Sequence, residues 1–234
     1  MKRQFLFGLK DAVPIALGYL SVSFGFGIFA ASLGITPLEA WFVSALNLTS
    51  AGQVAGVQVI AAAGSLLEMA LTQLVINIRY SLMALSLSQK LDDSFRTPQR
   101  LLVAQGITDE IFAAAYSKPG ELTPGYMYGL VTATFVSWTS GTLLGALAGS
   151  SLPPQLTDAL GIMLYAMFMA AVIPAARSDR NILFVVVIAA AISLLFFYVF
   201  TTVSAGFATI LSAMVAAAIM AFLRPIEDEV EGVA

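Results

Sequence analysis

The sequence predicts an all-α fold, a polytopic helical bundle that spans a membrane with about seven or eight hydrophobic segments. Two observations support this prediction. Hydrophobic residues make up 59% of the chain and charged residues only 11%, whereas about a quarter of the residues are charged in an average soluble domain. The charges also cluster, and the runs between them are long enough for a helix to cross a bilayer, which takes about 20 residues. We therefore expect the 234 residues to form a single transmembrane domain, 1–234.

Composition also excludes several classes of function. The chain has no cysteine and no histidine, so thiolate catalysis, imidazole catalysis and the metal sites built from these residues are excluded. We therefore do not expect an enzyme, and we expect no catalytic residue, no metal and no cofactor. The sequence has no basic patch that would indicate binding to nucleic acid, so we expect no nucleic-acid partner. The acidic C-terminal tail at 225–234 is expected to be solvated.

Segment one is predicted at Ala12–Leu33, after a short cytoplasmic N-terminus at 1–11. The apolar run is too long for the core of a cleaved signal peptide, so we interpret it as a retained helix. Lys2, Arg3 and Lys10 precede it, and the positive-inside rule then places the N-terminus in the cytoplasm.

Segment two, at about Trp41–Ala63, is too polar for a span that is exposed to lipid. Polar, glycine-rich backbone is tolerated at membrane depth only where it lines a cavity or lies inside protein. The segment is therefore predicted to be a broken helix or a re-entrant pair of half-helices. The residues behind this prediction are Asn47, Thr49, Ser50, Gln53 and Gln58, with Gly52 and Gly56 between them.

Segment three, Met69–Gln89, carries one charge, Arg79, at its centre. An ionised side chain at the bilayer centre costs about 2.5–3.5 kcal/mol or more, and such residues are functional by default. Two polar stripes on this helix indicate a protein interior or a wet cavity on those sides. They consist of Thr72, Arg79 and Ser86, and of Gln73, Asn77, Tyr80, Ser81 and Ser88. The alternative is a structural Arg79 that pairs with a carboxylate.

The basic loop Lys90–Arg100 is predicted to be cytoplasmic. Segment four, Leu101–Ser117, is short and carries the adjacent acids Asp109 and Glu110. As one continuous helix, it turns Glu110 away from the side that carries Asp109. The alternative is a shallow helix whose two acids lie among lipid headgroups or in solvent.

Small residues in two segments predict close contacts between helices. Segment five, Gly125–Gly149, repeats glycine at four-residue spacing, which is the small-xxx-small pattern. The glycines of segment one are also interpreted as packing residues. The glycines concerned are Gly18, Gly25 and Gly27 in segment one, and Gly141, Gly145 and Gly149 in segment five.

The chain also shows a weak internal similarity. Ser23–Gly27 resembles Ser137–Gly141 about half the chain away, which predicts an inverted repeat of the kind that many transporters use. If segments two and six were both re-entrant, the basic loops at 90–100 and 177–180 and also Arg224 would all face the cytoplasm. Segments six, seven and eight are predicted at Leu156–Ala176, Ile182–Val203 and Phe207–Leu223.

Five short motifs, in their order and spacing, resemble the AzlC family, the large subunits of branched-chain amino acid exporters. The motifs are Pro14–Tyr19, Phe24–Gly27, Thr49–Gln53, Asn77–Met83 and Thr108–Glu110. The resemblance covers roughly residues 5–225. The family commonly has Asn-Leu-Arg-His where this chain has Asn77-Ile-Arg79-Tyr80, so no imidazole is available here for coupling or for substrate choice.

The resemblance implies a proton-motive-force-linked transporter that exports leucine, isoleucine and valine, with methionine as a further substrate, across the cell (inner) membrane. It also implies a small AzlD-type membrane subunit as partner. The alternative functions are a membrane channel and a structural subunit of a membrane complex that does not itself transport.

The residues themselves suit an amino-acid zwitterion. A guanidinium can bind the carboxylate bidentately, and a carboxylate can bind the ammonium or carry a proton. A permanent bridge between Arg79 and Asp109 is the competing arrangement. The candidates are Arg79, Asn77, Gln53 and Tyr80 for substrate binding, and Asp109 and Glu110 for proton coupling or ion pairing.

Overall fold

The computed structural model of the chain describes residues 1–149, 169 and 172–224. The elements in these ranges are α-helices, which confirms the predicted all-α fold. They are α1 (Lys2–Ser32), α2 (Pro37–Leu46), α3 (Ser50–Ala61), α4 (Leu66–Ser88), α5 (Thr97–Ala104), α6 (Asp109–Ser117), α7 (Pro124–Gly149), α8 (Arg180–Tyr198) and α9 (Ala205–Leu223). A further helical stretch covers 172–178.

Five of the described helices, α1, α4, α7, α8 and α9, are long and apolar enough to cross a membrane. This is fewer than the spans predicted from the sequence. Predicted segments two and four are each divided into two short helices, and most of predicted segment six lies outside the described residues. The acidic tail at 225–234 lies outside them too. Helix α1 begins at Lys2, so most of the predicted N-terminal tail at 1–11 is helical.

Helices α1 and α7 pack with their backbones almost in contact. A Cβ atom added to Gly27 would lie 2.2 Å from the carbonyl oxygen of Thr142, and one added to Gly145 would lie 2.0 Å from that of Phe24. Only glycine permits such an approach, because any side chain would overlap the neighbouring backbone. The predicted packing role is confirmed for these two glycines.

Helices α1 and α7 run in the same direction. Gly8 lies against Tyr126 near the start of both helices, and Gly27 lies against Thr142 farther along both. The two similar stretches of the sequence therefore lie side by side in parallel helices. Repeats of inverted topology would place them in opposite directions, so the predicted inverted relation is wrong for this pair.

Predicted segment two is broken, as expected, into α2 and α3, with a turn at 47–49 between them. Ala40 of α2 and Val57 of α3 both pack in one apolar cluster with Phe26 of α1. The two helices therefore form a hairpin that starts and finishes at one end of the bundle. We call this end of the bundle the Gly34 end, after the glycine with φ +81° that turns the chain out of α1.

Predicted segment four is also broken, and its prediction as one continuous helix at Leu101–Ser117 is wrong. A turn at 105–108 separates α5 from α6. Within this turn, Gly106 lies so close to α7 that an added Cβ would come within 2.3 Å of the Val131 side chain. The hydroxyl of Thr108 accepts a hydrogen bond from the third N–H of α6 over 3.3 Å and so caps a new helix.

The α5–α6 hairpin starts and finishes at the opposite end of the bundle, which we call the Met1 end. Met1, Asp92 and Thr123 surround one small cavity there. The ammonium group of Lys90 donates a hydrogen bond to the carbonyl of Lys118, just after α6, over 2.5 Å. The two hairpins therefore enter the bundle from opposite ends.

The turns of the two hairpins meet in the middle of the bundle. The side-chain amide of Gln105 donates a hydrogen bond to the carbonyl of Leu46, the last residue of α2, over 2.8 Å. The hydroxyl of Thr108 is hydrogen-bonded to that of Tyr19, midway along α1. Irregular backbone therefore concentrates at mid-depth, where it is tolerated only if it is buried in protein or lines a cavity.

Helices α8 and α9 form a further hairpin. The Arg224 guanidinium, directly after α9, donates a hydrogen bond to Asn181 at the start of α8 over 3.2 Å. At the start of α9, the carboxylate of Glu68 accepts hydrogen bonds from the N–H of Gly206, over 3.1 Å, and from the hydroxyl of Ser204. Glu68 is almost fully buried, and it holds the start of α9 against the start of α4.

Candidate functional site

A cavity of about 590 Å³ lies where the turns of the two hairpins meet. Binding sites for small molecules commonly have volumes of about 300–1,000 Å³. The wall of this cavity has a polar part and an apolar part. The polar part consists of Tyr19, Ser50, Arg79, Tyr80, Thr108, Asp109 and Glu110. The apolar part includes Pro14, Ile15, Val22, Leu48, Ile76 and Val172.

Arg79 and Asp109 form an ion pair in this cavity. Nη2 of Arg79 lies 3.0 Å from Oδ2 of Asp109, and the two side chains are 50% and 49% exposed. The same nitrogen donates a hydrogen bond to the hydroxyl of Tyr80 over 3.2 Å. Three predicted site residues are thus brought together. Because both ions remain accessible, a ligand of matching charge can replace either partner without leaving a desolvated ion behind.

Glu110 lines the same cavity but differs from Asp109 in its partners. Within the described ranges it makes no ion pair. Its Oε2 accepts a hydrogen bond from the hydroxyl of Tyr19 over 2.7 Å. Since Tyr19 has one proton to donate, Thr108 must be the donor in the hydrogen bond between the Thr108 and Tyr19 hydroxyls. Glu110 therefore ends a short chain of hydrogen bonds that runs from Thr108 through Tyr19.

Ser50 and Ala51, in the first turn of α3, line the cavity. Thr49 is in the capping position, but its hydroxyl donates a hydrogen bond to Oδ1 of Asn47 over 3.0 Å and caps nothing. Among the described residues, the N–H groups of Ser50, Ala51 and Gly52 have no hydrogen-bond acceptor. The start of a helix carries a partial positive charge, so this turn complements an anionic group.

Gln53, a predicted substrate ligand, lies outside the cavity lining and is fully buried. Its Oε1 accepts a hydrogen bond from the indole N–H of Trp138 over 2.9 Å, and its Nε2 donates to the hydroxyl of Ser44 over 2.8 Å. Ser44 is in turn hydrogen-bonded to Thr142 over 2.7 Å. Gln53 therefore fixes the position of Trp138, which borders the cavity.

Asn77, a further predicted substrate ligand, also lies outside the lining. Its Nδ2 donates a hydrogen bond to Oε1 of Gln73 over 2.9 Å, and the same oxygen accepts one from Nδ2 of Asn47 over 3.0 Å. Nε2 of Gln73 donates to the carbonyl of Gly52 over 2.8 Å. The predicted polar stripe thus fastens α4 to the α2–α3 hairpin at these positions.

Three residues of functional interest were missed in the sequence. Tyr19 and Trp138 border the cavity with their ring centroids 4.9 Å apart. Aromatic residues are common in membrane helices, so these two are distinguished only by their contacts, Tyr19 with Glu110 and Trp138 with Gln53. Glu68 directly precedes the predicted start of segment three. An acidic residue beside a long apolar run could have been recognised as a candidate for a buried polar contact.

Comparisons with known proteins identify the family. The sequence pattern of the family described as "AzlC protein" matches residues 14–152, which is more than half of the chain. The chain is 37% identical over 172 residues to "Inner membrane protein YgaZ" of Escherichia coli (strain K12), a match that covers 70% of each protein. It is 31% identical over 173 residues to an "Uncharacterized membrane protein" of Archaeoglobus fulgidus, covering 73% of this chain and 75% of that protein. No solved structure matches the chain. The chain therefore belongs to the AzlC family of membrane proteins.

Proposed function

We propose that the chain is a secondary transporter that exports branched-chain amino acids, and that it acts as the large subunit of a permease with a small AzlD-type subunit. The observation that supports this most directly is the half-exposed pair of Arg79 and Asp109 in a cavity between two broken hairpins. Secondary transporters commonly bind their substrates near mid-depth, among interrupted helices.

Charge complementarity favours a zwitterionic substrate. Arg79 offers the α-carboxylate two parallel hydrogen bonds, and the open first turn of α3 lines the same cavity. Asp109 offers the α-ammonium an anionic partner. Binding then replaces one ion pair by two, so no charge is left unpaired in a region of low dielectric constant. The apolar part of the wall suits an aliphatic side chain.

Glu110 is the candidate for the group that carries the proton. Arg79 neutralises Asp109, whereas Glu110 has only the Tyr19 hydroxyl as a polar partner in the described part of the chain. The charged groups that share its cavity are Arg79 and Asp109, and the phenols of Tyr19 and Tyr80 face it as well. A proton on Glu110 removes the remaining negative charge, which gives a route for coupling to the proton motive force.

The distribution of basic residues supports a cytoplasmic Met1 end, by the positive-inside rule. Arg79 is the exception at mid-depth. The α2–α3 hairpin then enters from outside the cell and the α5–α6 hairpin from the cytoplasm. Predicted segment four therefore supplies a re-entrant hairpin, while most of predicted segment six lies outside the described residues. The basic residues at this end include Lys2, Arg3, Lys10, Lys90, Arg96, Arg100 and Lys118. Arg180 and Arg224 join them, because α9 begins beside the start of α4 and ends beside the start of α8.

Counterflow in liposomes tests the proposal. The purified chain is reconstituted alone and with a small AzlD-type subunit, and uptake of labelled leucine against internal leucine is measured with and without a pH gradient. Saturable counterflow that the gradient stimulates is the expected result. No flux under any condition, from protein shown to be folded, would contradict the substrate class or the assignment of transport to this chain.

A further inference from the structure

Gly18 is a glycine in the interior of α1 that packing against the described helices does not explain. Glycine is less favourable than alanine there, because it loses more backbone freedom on folding. At Gly8 and Gly27 an added Cβ atom would lie 2.1 Å and 2.2 Å from carbonyl oxygens of α7, so a side chain is excluded. At Gly18 an added Cβ meets no described atom within 4 Å. Within the described part of the chain, the packing interpretation holds for Gly27, and Gly18 contacts no neighbouring helix.

Gly18 lies instead in the wall of the candidate site. Residues four apart on a helix share a face, and Pro14, Gly18 and Val22 line the cavity together. The missing side chain at Gly18 therefore leaves a gap in the apolar wall between Pro14 and Val22. A methyl or isopropyl group at this position would enter the cavity without meeting any of the described helices.

We infer that Gly18 determines which side chains the transporter accepts, by leaving room for a branched aliphatic group beside the charged end of the cavity. This inference rests on the proposed function. The α-carboxylate and α-ammonium groups are common to all amino acids, so Arg79 and Asp109 cannot distinguish leucine from alanine. Selection by side-chain size has to come from the apolar wall, and at Gly18 the described part of that wall has open space.

A substitution series tests the inference. Gly18→Ala, Gly18→Val and Gly18→Leu add increasing volume at one point. Each full-length variant is reconstituted like the parent protein, and counterflow of leucine, valine and alanine is compared. One methylene group changes discrimination in an apolar pocket on the order of 10-fold or more. We therefore expect the ratio of leucine to alanine transport to fall on the order of 10-fold in Gly18→Val, with a smaller change in Gly18→Ala.

Val13→Leu is the matched control. Val13 lies on the same helix, is 52% exposed and is not part of the cavity lining, so the larger side chain should leave the leucine-to-alanine ratio unchanged. A folded Gly18→Val that keeps the ratio of the parent protein, or that loses all three substrates equally, overturns the inference and leaves the proposed function intact. A parent protein that transports none of the amino acids overturns both.

Discussion

The side-chain amide of Gln105 donates a hydrogen bond to the backbone carbonyl of Leu46 over 2.8 Å. Gln105 directly follows α5, and Leu46 is the last residue of α2, so this bond joins the two hairpins at their turns. It also supplies a donor to a carbonyl that has no partner within its own helix. The shape of the cavity between the turns depends in part on this contact.

Replacement of Gln105 by leucine should loosen the junction of the hairpins. The volume of the side chain is nearly kept while the donor to Leu46 is lost, which lowers the free energy of unfolding by about 0.5–1.5 kcal/mol. The measurement is the thermal midpoint of the purified protein in detergent. Gln105→Asn keeps the amide but shortens its reach, and it should behave like the leucine variant. If both variants unfold at the same thermal midpoint as the parent protein, this hydrogen bond does not hold the two turns together.

Arg79→Lys should reduce leucine counterflow on the order of 10-fold or more while the protein still assembles. Lysine keeps the positive charge but cannot form two parallel hydrogen bonds with a carboxylate. The control is Arg100→Lys on the exposed side of α5, which should transport like the parent protein. Near-normal transport by Arg79→Lys would remove Arg79 from the substrate site and leave it a structural ion pair with Asp109.

Asp109→Asn and Glu110→Gln should impair transport in different ways. Loss of the carboxylate that faces Arg79 should raise the half-saturating leucine concentration on the order of 10-fold, since the ammonium loses its anionic partner. Glu110→Gln should keep leucine exchange but lose its stimulation by a pH gradient. Initial rates with and without the gradient separate the two effects. Gradient stimulation that persists in Glu110→Gln would exclude Glu110 as the proton carrier.

Gly145→Ala should destabilise the contact between α1 and α7. Its Cβ would lie 2.0 Å from the carbonyl oxygen of Phe24, and such overpacking costs about 1–3 kcal/mol or more. Gly18→Ala is the matched control, and its stability should equal or exceed that of the parent by about 0.5–1 kcal/mol. Yield and thermal midpoint are measured for both variants. Equal midpoints would contradict the close approach of the two helices.

Glu68→Ala should release the start of α9 from α4. The buried N–H of Gly206 then loses its acceptor, and an unsatisfied buried donor costs about 1–3 kcal/mol. Glu121→Ala, at an exposed loop position, should leave the unfolding midpoint unchanged. If the two variants unfold at the same temperature as the parent protein, Glu68 does not hold the two helices together.

Some elements could be predicted almost to the residue. Segment three was expected at Met69–Gln89 and α4 covers Leu66–Ser88, while segment five was expected at Gly125–Gly149 and α7 covers Pro124–Gly149. These helices follow from long apolar runs that end at polar residues, which is information local to each segment. The break at 105–108 was missed because it depends on a tertiary contact, the close approach of Gly106 to α7.

Composition and the length of the apolar runs are enough to identify the chain as a membrane protein with an arginine at mid-depth, because these two properties settle which segments suit lipid. The carboxylate that Arg79 meets could not be predicted from them, because it depends on how the helices pack. Asp109 and Glu110 are neighbours in the chain, and the position of α4 against the start of α6 pairs the first with Arg79 and leaves the second to Tyr19. Ion pairing requires contact within about 4 Å, and contacts between distant segments arise only when the helices pack.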